Sequence, residues 1–190
     1  MPTTEEYKEN LINTVIEKSE ANNWEEAVKE WEIYEVEEDP DCNSYCTCGK
    51  EGLRYLFTIQ NQYNGNTIFP IGSSCINKFD RSELKKEADL KEDLFKLMHA
   101  VENKKFITIS SDLFSRKLLK YLYDLGAFED NQYNHNCGYN DYEFLLKMFN
   151  KRKKNITENQ KRKISAIIVG SILPFLKKLS ENKMKTKQTS

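Results

Sequence analysis

The sequence has little that would suit a membrane or a secretion signal. Its longest apolar run, residues 164–176, is interrupted by polar residues and a proline. The run is also shorter than the ~20 consecutive apolar residues that a membrane-spanning helix needs. The N-terminus contains Glu5 and Glu6 where a signal peptide would be basic, and no apolar segment follows. We expect a cytoplasmic protein with no membrane partner.

Groups suited to catalysis are also scarce. The chain contains two histidines, His99 and His135, and its seven glycines form no phosphate-binding loop. It has neither a nucleophile elbow nor the paired histidines of a zinc protease. Cys137 follows His135 with one residue between them, a spacing that cannot by itself place a thiol against an imidazole. We predict that the protein is not an enzyme.

The cysteines are too few and too clustered for a disulfide framework. There are five, an odd number, and four of them lie within 34 residues. Two thiols separated by one residue are poorly placed to form a disulfide but can share a metal ion. Cys46-Thr47-Cys48-Gly49 provides such a pair, and the glycine allows the chain to turn under the metal. About 20 residues later, Gly72-Ser73-Ser74-Cys75 provides a third thiol.

This spacing predicts one zinc ion bound by Cys46, Cys48 and Cys75. The preferred fourth ligand is Cys42, because the short segment that follows it could fold back to the site. Cys137 and His135 are the alternatives, and either would tie the two halves of the chain together. Four protein ligands would make a closed, structural site, whereas three would leave a position for water and would again allow catalysis.

The hydrophobic pattern predicts an α+β fold with N-terminal helices, a small zinc-bound antiparallel β-hairpin and a C-terminal helical bundle. Residues 53–60 are aromatic and β-branched, and the Asn64-Gly65 turn leads to a second strand at 67–69. A short strand is also indicated at 33–36. Helices are predicted at residues 4–16, 24–31, 82–103, 112–125, 141–151 and 157–179, the last of them kinked at Pro174. The expected N-caps are Thr4 for the first helix, Ser111 or Ser110 for the fourth, and Thr157, in a capping box with Gln160, for the last.

The same pattern suggests a division of the chain. Residues 1–104 would contain the acidic helices, the zinc-bound hairpin and the helix that follows it. Residues 105–182 would form a helical C-terminal domain, and residues 183–190 a disordered tail.

Charge is strongly separated along the chain, although the formal net charge is only −1. Residues 1–41 contain fourteen acidic residues and three lysines, whereas residues 151–190 contain twelve basic residues and two glutamates. The acidic segment could imitate a nucleic-acid backbone, and the basic one could bind phosphates directly. Both could also be ordinary solvated surface. The candidate partner-binding residues are Glu25, Glu26, Glu30, Lys151, Arg152, Lys153, Lys154, Lys161, Arg162 and Lys163.

Residues 24–80 carry a distinctive series of motifs. After Trp24 and Trp31 come Cys46-x-Cys48-Gly49, Ile59-x-Asn61, Asn64-Gly65, and Gly72-x-x-Cys75-Ile76 with Phe79. This series resembles small uncharacterised zinc-binding proteins of phages, mobile elements and large DNA viruses. The resemblance implies an accessory protein of a virus or mobile element and does not point to any particular activity. We expect such a protein in the cytoplasm of the host cell.

Two functions follow as expectations. The first is an anti-CRISPR-like inhibitor that binds a bacterial defence nuclease or another nucleic-acid-handling complex. The alternative is a zinc protein that binds DNA or RNA directly and has a regulatory or replicative role.

Overall fold

The computed structural model describes residues 3–103, 105, 107–110 and 112–188. The fold is α+β, as predicted, with N-terminal helices, small antiparallel sheets and helices in the C-terminal part. The chain separates into two compact units, Met1–Glu92 and Asp93–Ser190. The division falls within a long helix, earlier than the boundary at residue 104 that the sequence suggests. None of the described helices combines the length and the apolar character needed to span a membrane.

The N-terminal unit contains two antiparallel sheets. The larger sheet has the strand order β1-β4-β5, and its register pairs Trp31 with Asn61 and Ile59 with Ile68. The smaller pairs β2 with β3. The elements are α1 (Thr4–Glu17), α2 (Trp24–Ala27), β1 (Trp31–Glu38), β2 (Ser44–Tyr45), β3 (Glu51–Leu53), β4 (Tyr55–Asn61), β5 (Thr67–Ile71), α3 (Ser73–Ile76) and α4 (Ser82–Glu102), which continues into the second unit.

The predicted hairpin is confirmed as β4 and β5, with Gly65 at a positive φ of 74° in the turn between them. The strand indicated at 33–36 is longer than expected, because seven of the eight residues of β1 pair along β4, with a bulge near Tyr34. Helix α1 begins at a capping box formed by Thr3 and Glu6, one residue before the cap assumed from the sequence.

Both tryptophans belong to the interior of this unit. The Trp31 side chain is fully buried, and its indole Nε1–H donates a 2.9 Å hydrogen bond to Ser19 Oγ. Trp24 is half-buried and meets the ring of Phe79 edge-on, with 5.3 Å between the ring centroids. Burial of a large apolar side chain contributes about 1.5–3 kcal/mol. These side chains therefore stabilise the fold and are not exposed anchors for a partner.

The C-terminal unit is helical. Besides the end of α4, its α-helices are α5 (Arg116–Asp124), α6 (Gly138–Phe149), α7 (Glu158–Ile167) and α8 (Leu173–Gln188). Helix α5 begins four residues later than predicted, because the Ser115 hydroxyl accepts the Leu118 N–H and caps it there. Ser111, one of the two caps expected from the sequence, lies outside the described residues.

The last helical segment confirms its predicted cap and its apolar stripe. Thr157 and Gln160 form a capping box, and Ile164, Ile168, Ile172 and Leu176 are buried. Between α7 and α8 one turn, Ile168–Ile172, is a π-helix. Pro174 has no N–H to donate to the carbonyl four residues earlier, which explains the wider turn just before it. Helix α8 extends to Gln188, into the segment expected to be a disordered tail.

Gly138, the first residue of α6, packs directly against backbone. A Cβ atom at this position would lie 1.9 Å from the carbonyl oxygen of Phe128, which cannot move as the end of a side chain can. We expect Gly138→Ala to lower the free energy of unfolding of the C-terminal unit by about 2–3 kcal/mol. Chemical denaturation followed by far-UV circular dichroism would measure this loss. Gly170→Ala is the matched control, because apart from the adjoining residues and the backbone of its own helix no described atom lies within 4 Å of the added methyl group.

Candidate metal centre

The structure brings Cys46, Cys48 and Cys75 together in the N-terminal unit. All three are buried, and their Sγ atoms lie within 4.8 Å of one another. Cys75 Sγ is 3.6 Å from Cys46 Sγ and 3.5 Å from Cys48 Sγ. Within the part of the chain that the structure describes, no other group of three or more His, Cys, Asp or Glu side chains is arranged in this way.

These separations fit a shared metal ion. A disulfide requires about 2.05 Å between sulfurs, far less than the separations here. Tetrahedral zinc has Zn–S bonds of about 2.3 Å, which place two ligating sulfurs about 3.8 Å apart. Thiolates also bind copper(I) and iron–sulfur clusters. The geometry therefore shows a group that could hold a metal ion, but it does not identify the metal.

The first two thiols are positioned by a tight turn between β2 and β3. The Cys46 N–H donates to Lys50 O, and the Gly49 N–H donates to Cys46 O, so the chain folds back within five residues. Gly49 has a φ of 94°, a conformation that glycine adopts without strain. The Thr47 N–H and hydroxyl both donate to Pro70 O, which joins this turn to the end of β5.

The third thiol is positioned by the start of α3. Gly72 precedes this short helix, and its N–H donates to Cys46 Sγ at 3.4 Å. A Cβ on Gly72 would lie 2.7 Å from Leu53 Cδ2, so glycine allows α3 to approach the small sheet closely. Cys75, Ile76 and Phe79 then face the interior. The spacing Gly72-x-x-Cys75-Ile76 thus has a packing reason as well as a chemical one.

The thiols have very different proton affinities. The pKa of Cys46 falls to about 5, chiefly because its thiolate accepts a hydrogen bond from Cys75, with help from the backbone N–H groups of Cys48 and Gly72. The pKa of Cys75 is raised because it donates that hydrogen bond and is itself buried. A bound metal ion would require Cys75 to lose its proton, so metal binding would release protons.

Cys42 does not join the group. Its Sγ lies 4.0 Å from Pro40 O, and its φ of 53° places the residue in a turn of its own. The carboxylate of Asp39 holds that turn by accepting hydrogen bonds from the N–H groups of Asp41, Asn43 and Ser44 and from the Ser44 hydroxyl. The prediction of Cys42 as the fourth ligand did not take Asp39 into account. An aspartate at the start of a turn accepts hydrogen bonds from the N–H groups that follow it, and this was the signal available in the sequence.

The two alternative fourth ligands are not in the group either. His135 is exposed, with a φ of 61°, and Cys137 is half-buried at the start of α6, where its N–H donates to Asn134 Oδ1. Both residues belong to the C-terminal unit, whereas the three clustered thiols belong to the N-terminal unit.

His99, the other histidine of the chain, is half-buried and lies 3.5 Å from the Glu102 carboxylate.

One acidic candidate for partner binding, Glu30, is not on the surface. It is 5% exposed, and its carboxylate accepts hydrogen bonds from the N–H groups of Glu20 and Ala21 and from Asn61 Nδ2. Burial by itself would raise the pKa of Glu30, but these hydrogen bonds hold it below its ordinary value. The carboxylate is occupied within the fold, so a partner cannot use it.

The remaining charged candidates are mostly exposed. Glu25 and Glu26 lie on α2, and Glu26 forms an exposed ion pair with Lys29. In the C-terminal unit Lys151 is half-buried and donates to Gln160. Lys161 pairs with Glu158, and Lys163 lies over the Phe144 ring. The other exposed members of the basic set are Arg152, Lys153, Lys154 and Arg162.

The sequence did not reveal the role of Asn61, although it lies in the motif series. The Asn61 side chain is buried, and its Oδ1 accepts the N–H groups of Tyr63 and Asn64 while its Nδ2 donates to Glu30. Asn61 therefore shapes the hairpin turn and connects it to the loop after α1. An asparagine at the end of a strand, just before a turn, was the only available signal.

Comparison of the chain with protein-family models, with curated proteins and with solved structures gives no significant match.

Proposed function

We propose that the protein is a non-enzymatic, zinc-stabilised accessory protein of a phage or mobile element that inhibits a nucleic-acid-handling defence complex of its host. We propose zinc as the bound ion because zinc binds three or four thiolates in tetrahedral geometry and has no redox chemistry. In this proposal the metal stabilises the N-terminal unit, and the charged surface of that unit binds the partner.

The observation that carries the proposal is the division of charge between the two structural units. Residues 1–92 contain 20 acidic and 10 basic residues, and residues 93–190 contain 10 acidic and 19 basic residues. The units therefore have net charges of −10 and +9. A strongly acidic folded unit can compete with nucleic acid for a basic groove, because electrostatic complementarity speeds association and suppresses wrong partners.

The exposure of individual carboxylates supports this use of the acidic unit. Glu25 and Glu26 are exposed on α2, and Glu5, Glu6 and Glu9 are exposed on α1. Exposed acidic side chains on regular elements present charge at fixed spacing, as phosphates do. The surface of the three thiols is by contrast almost entirely buried, so the metal centre offers a partner little contact area.

A second candidate function is direct binding of DNA or RNA by the C-terminal unit. The specific observation in its favour is the exposed set Arg152, Lys153, Lys154 and Arg162 on the unit that carries the net positive charge. Binding to phosphates by such residues would release counterions and would weaken steeply as salt is raised.

Paired charge reversals distinguish the two functions. The acidic variant carries Glu25→Lys with Glu26→Lys, and the basic variant carries Arg152→Glu with Lys153→Glu. Under the inhibitor proposal we expect the acidic variant to inhibit target cleavage by a panel of CRISPR nucleases about tenfold less than the unmodified protein. The basic variant should inhibit normally. Circular dichroism and metal content, unchanged in both variants, are the controls for folding.

Direct nucleic-acid binding predicts the reverse. The unmodified protein would then bind labelled duplex or single-stranded DNA, and the basic variant would bind more weakly. Its salt slope would be lower by about one for each phosphate that the variant no longer neutralises. If neither variant changes nuclease inhibition or nucleic-acid binding, the charge separation serves only solubility and both proposals are incorrect.

A further inference from the structure

Two of the three cysteines of the candidate metal centre line a cavity. The cavity has a volume of about 230 Å³ and is lined by Cys46 and Cys75, by residues 50–55 and by residues 72–74. A water molecule takes up ~30 Å³ of liquid volume, so there is space for a ligand of several atoms beside the sulfur atoms.

A tetrahedral ion bound by three thiolates has one further coordination position. Among the described residues, no fourth His, Cys, Asp or Glu side chain joins the three sulfurs. Because Cys46 and Cys75 are among the residues that line the cavity, it is the space from which a fourth ligand can approach the metal.

The cavity wall contains charged groups of both signs. A zinc ion with three thiolates has a net charge of −1, which by itself disfavours a second anion. The lining residues include Lys50 and Arg54, which are positively charged, and Glu51, which is negatively charged. Arg54 is paired with Glu38 at 2.9 Å, so its charge is partly neutralised. The exposed Lys50 ammonium is then the group that can attract an anionic ligand.

We propose that the fourth coordination position is an exchangeable site for a small thiol that carries a second, anionic group. This inference rests on the metal site in the proposed function. Thiolate is the preferred donor for a metal already bound by sulfur, and the anionic group would meet Lys50. Binding of the thiol would replace a water molecule at this position and release the thiol proton to solvent, so it would need neither an oxidant nor a reductant.

Cobalt(II) in place of zinc makes the site visible, because sulfur-to-cobalt charge-transfer absorption grows with the number of bound thiolates. The cobalt protein is titrated with mercaptoacetate, which carries a carboxylate, and with cysteamine, which carries an ammonium group. We expect both thiols to increase this absorption. In Lys50→Gln, mercaptoacetate should bind up to about fivefold more weakly relative to cysteamine, which is the size of effect expected from a solvent-exposed charge pair. The bound cobalt should remain unchanged.

Three results would overturn the proposal. If neither thiol alters the cobalt spectrum, the fourth position is closed. If Glu51→Gln or Cys42→Ser changes the spectrum before any thiol is added, the chain itself supplies the fourth ligand. If Lys50→Gln leaves the ratio of the two constants unchanged, the anionic group has no role. Zinc analysis of the unmodified protein precedes these tests, and a metal-free protein would overturn the metal site itself.

Discussion

Cys48→Ser is expected to abolish metal binding and to unfold the N-terminal unit. The Cys48 side chain is 1% exposed, and a serine hydroxyl is a poor replacement for a thiolate ligand at zinc. Structural zinc sites contribute ~10–16 kcal/mol of apparent binding free energy in small peptides at neutral pH. That contribution is as large as the ~5–15 kcal/mol by which a whole domain is stable. Metal analysis should fall from about one zinc per chain to almost none.

Tryptophan fluorescence reports on this unit alone, because both tryptophans, Trp24 and Trp31, lie in it. We expect the emission of Cys48→Ser to shift to the wavelength of solvated indole, while circular dichroism keeps the helical signal of the C-terminal unit. Cys137→Ser is the matched control and should keep both metal and fluorescence. A Cys48→Ser protein that retains zinc and a buried Trp31 would show that the three thiols are not a metal centre.

The three-thiol group was predictable from the sequence because its determinants are local. A pair such as Cys46-x-Cys48 keeps two thiols close together along the chain, and Gly49 lets the chain turn beneath them. The hairpin between Cys48 and Cys75 has a strong turn signal at Asn64-Gly65, which returns the chain to the same end of the sheet. The spacing and the turn together leave few alternatives.

The role of Glu30 could not be predicted in the same way. It lies in a strongly acidic segment, where every carboxylate has the same local pattern, and only its position against Asn61 makes it different. That position depends on the pairing of β1 with β4, which joins residues about thirty apart. Cys42 illustrates the same point, because it lies in a turn held by hydrogen bonds to Asp39 and does not join the three clustered thiols.

The fold prediction was likewise accurate for local features and less accurate for features that depend on distant residues. Helices with a clear cap and apolar stripe, such as the one that begins after Thr157, were located correctly. Boundaries were missed where the cap lay further along the chain than expected, as at Ser115, or where pairing with a neighbour extended an element, as in β1. Caps are local hydrogen bonds, whereas strand length depends on the partner strand.

Glu30→Gln should destabilise the N-terminal unit by about 2–4 kcal/mol at neutral pH, although it preserves the size of the side chain. The carboxylate has two acceptor oxygens for three donors: the N–H groups of Glu20 and Ala21, and Asn61 Nδ2. An amide has one acceptor oxygen, and its own NH₂ group would face at least one of these donors. A donor would be left without an acceptor, and the remaining hydrogen bonds would no longer be strengthened by the negative charge.

The loss of stability caused by Glu30→Gln should become smaller as the pH is lowered. Because the hydrogen bonds hold the pKa of Glu30 below its ordinary value in the folded protein, its carboxylate stabilises the fold above the pKa of an unfolded glutamate, about 4.3. This stabilisation is lost as the pH falls through the lower pKa of the folded state. The difference in unfolding free energy between the unmodified protein and Glu30→Gln should therefore be largest near neutral pH and should shrink below about pH 4.

Denaturant unfolding followed by tryptophan fluorescence at a series of pH values measures this difference for the N-terminal unit. Glu25→Gln is the matched control, because Glu25 is an exposed glutamate of the same acidic segment. Its effect should stay within about 0.5 kcal/mol at every pH. Equal effects of the two substitutions would show that Glu30 is an ordinary surface carboxylate. A large effect of Glu30→Gln that did not change with pH would mean that packing, rather than the ionised hydrogen-bond acceptor, connects the loop after α1 to the hairpin turn.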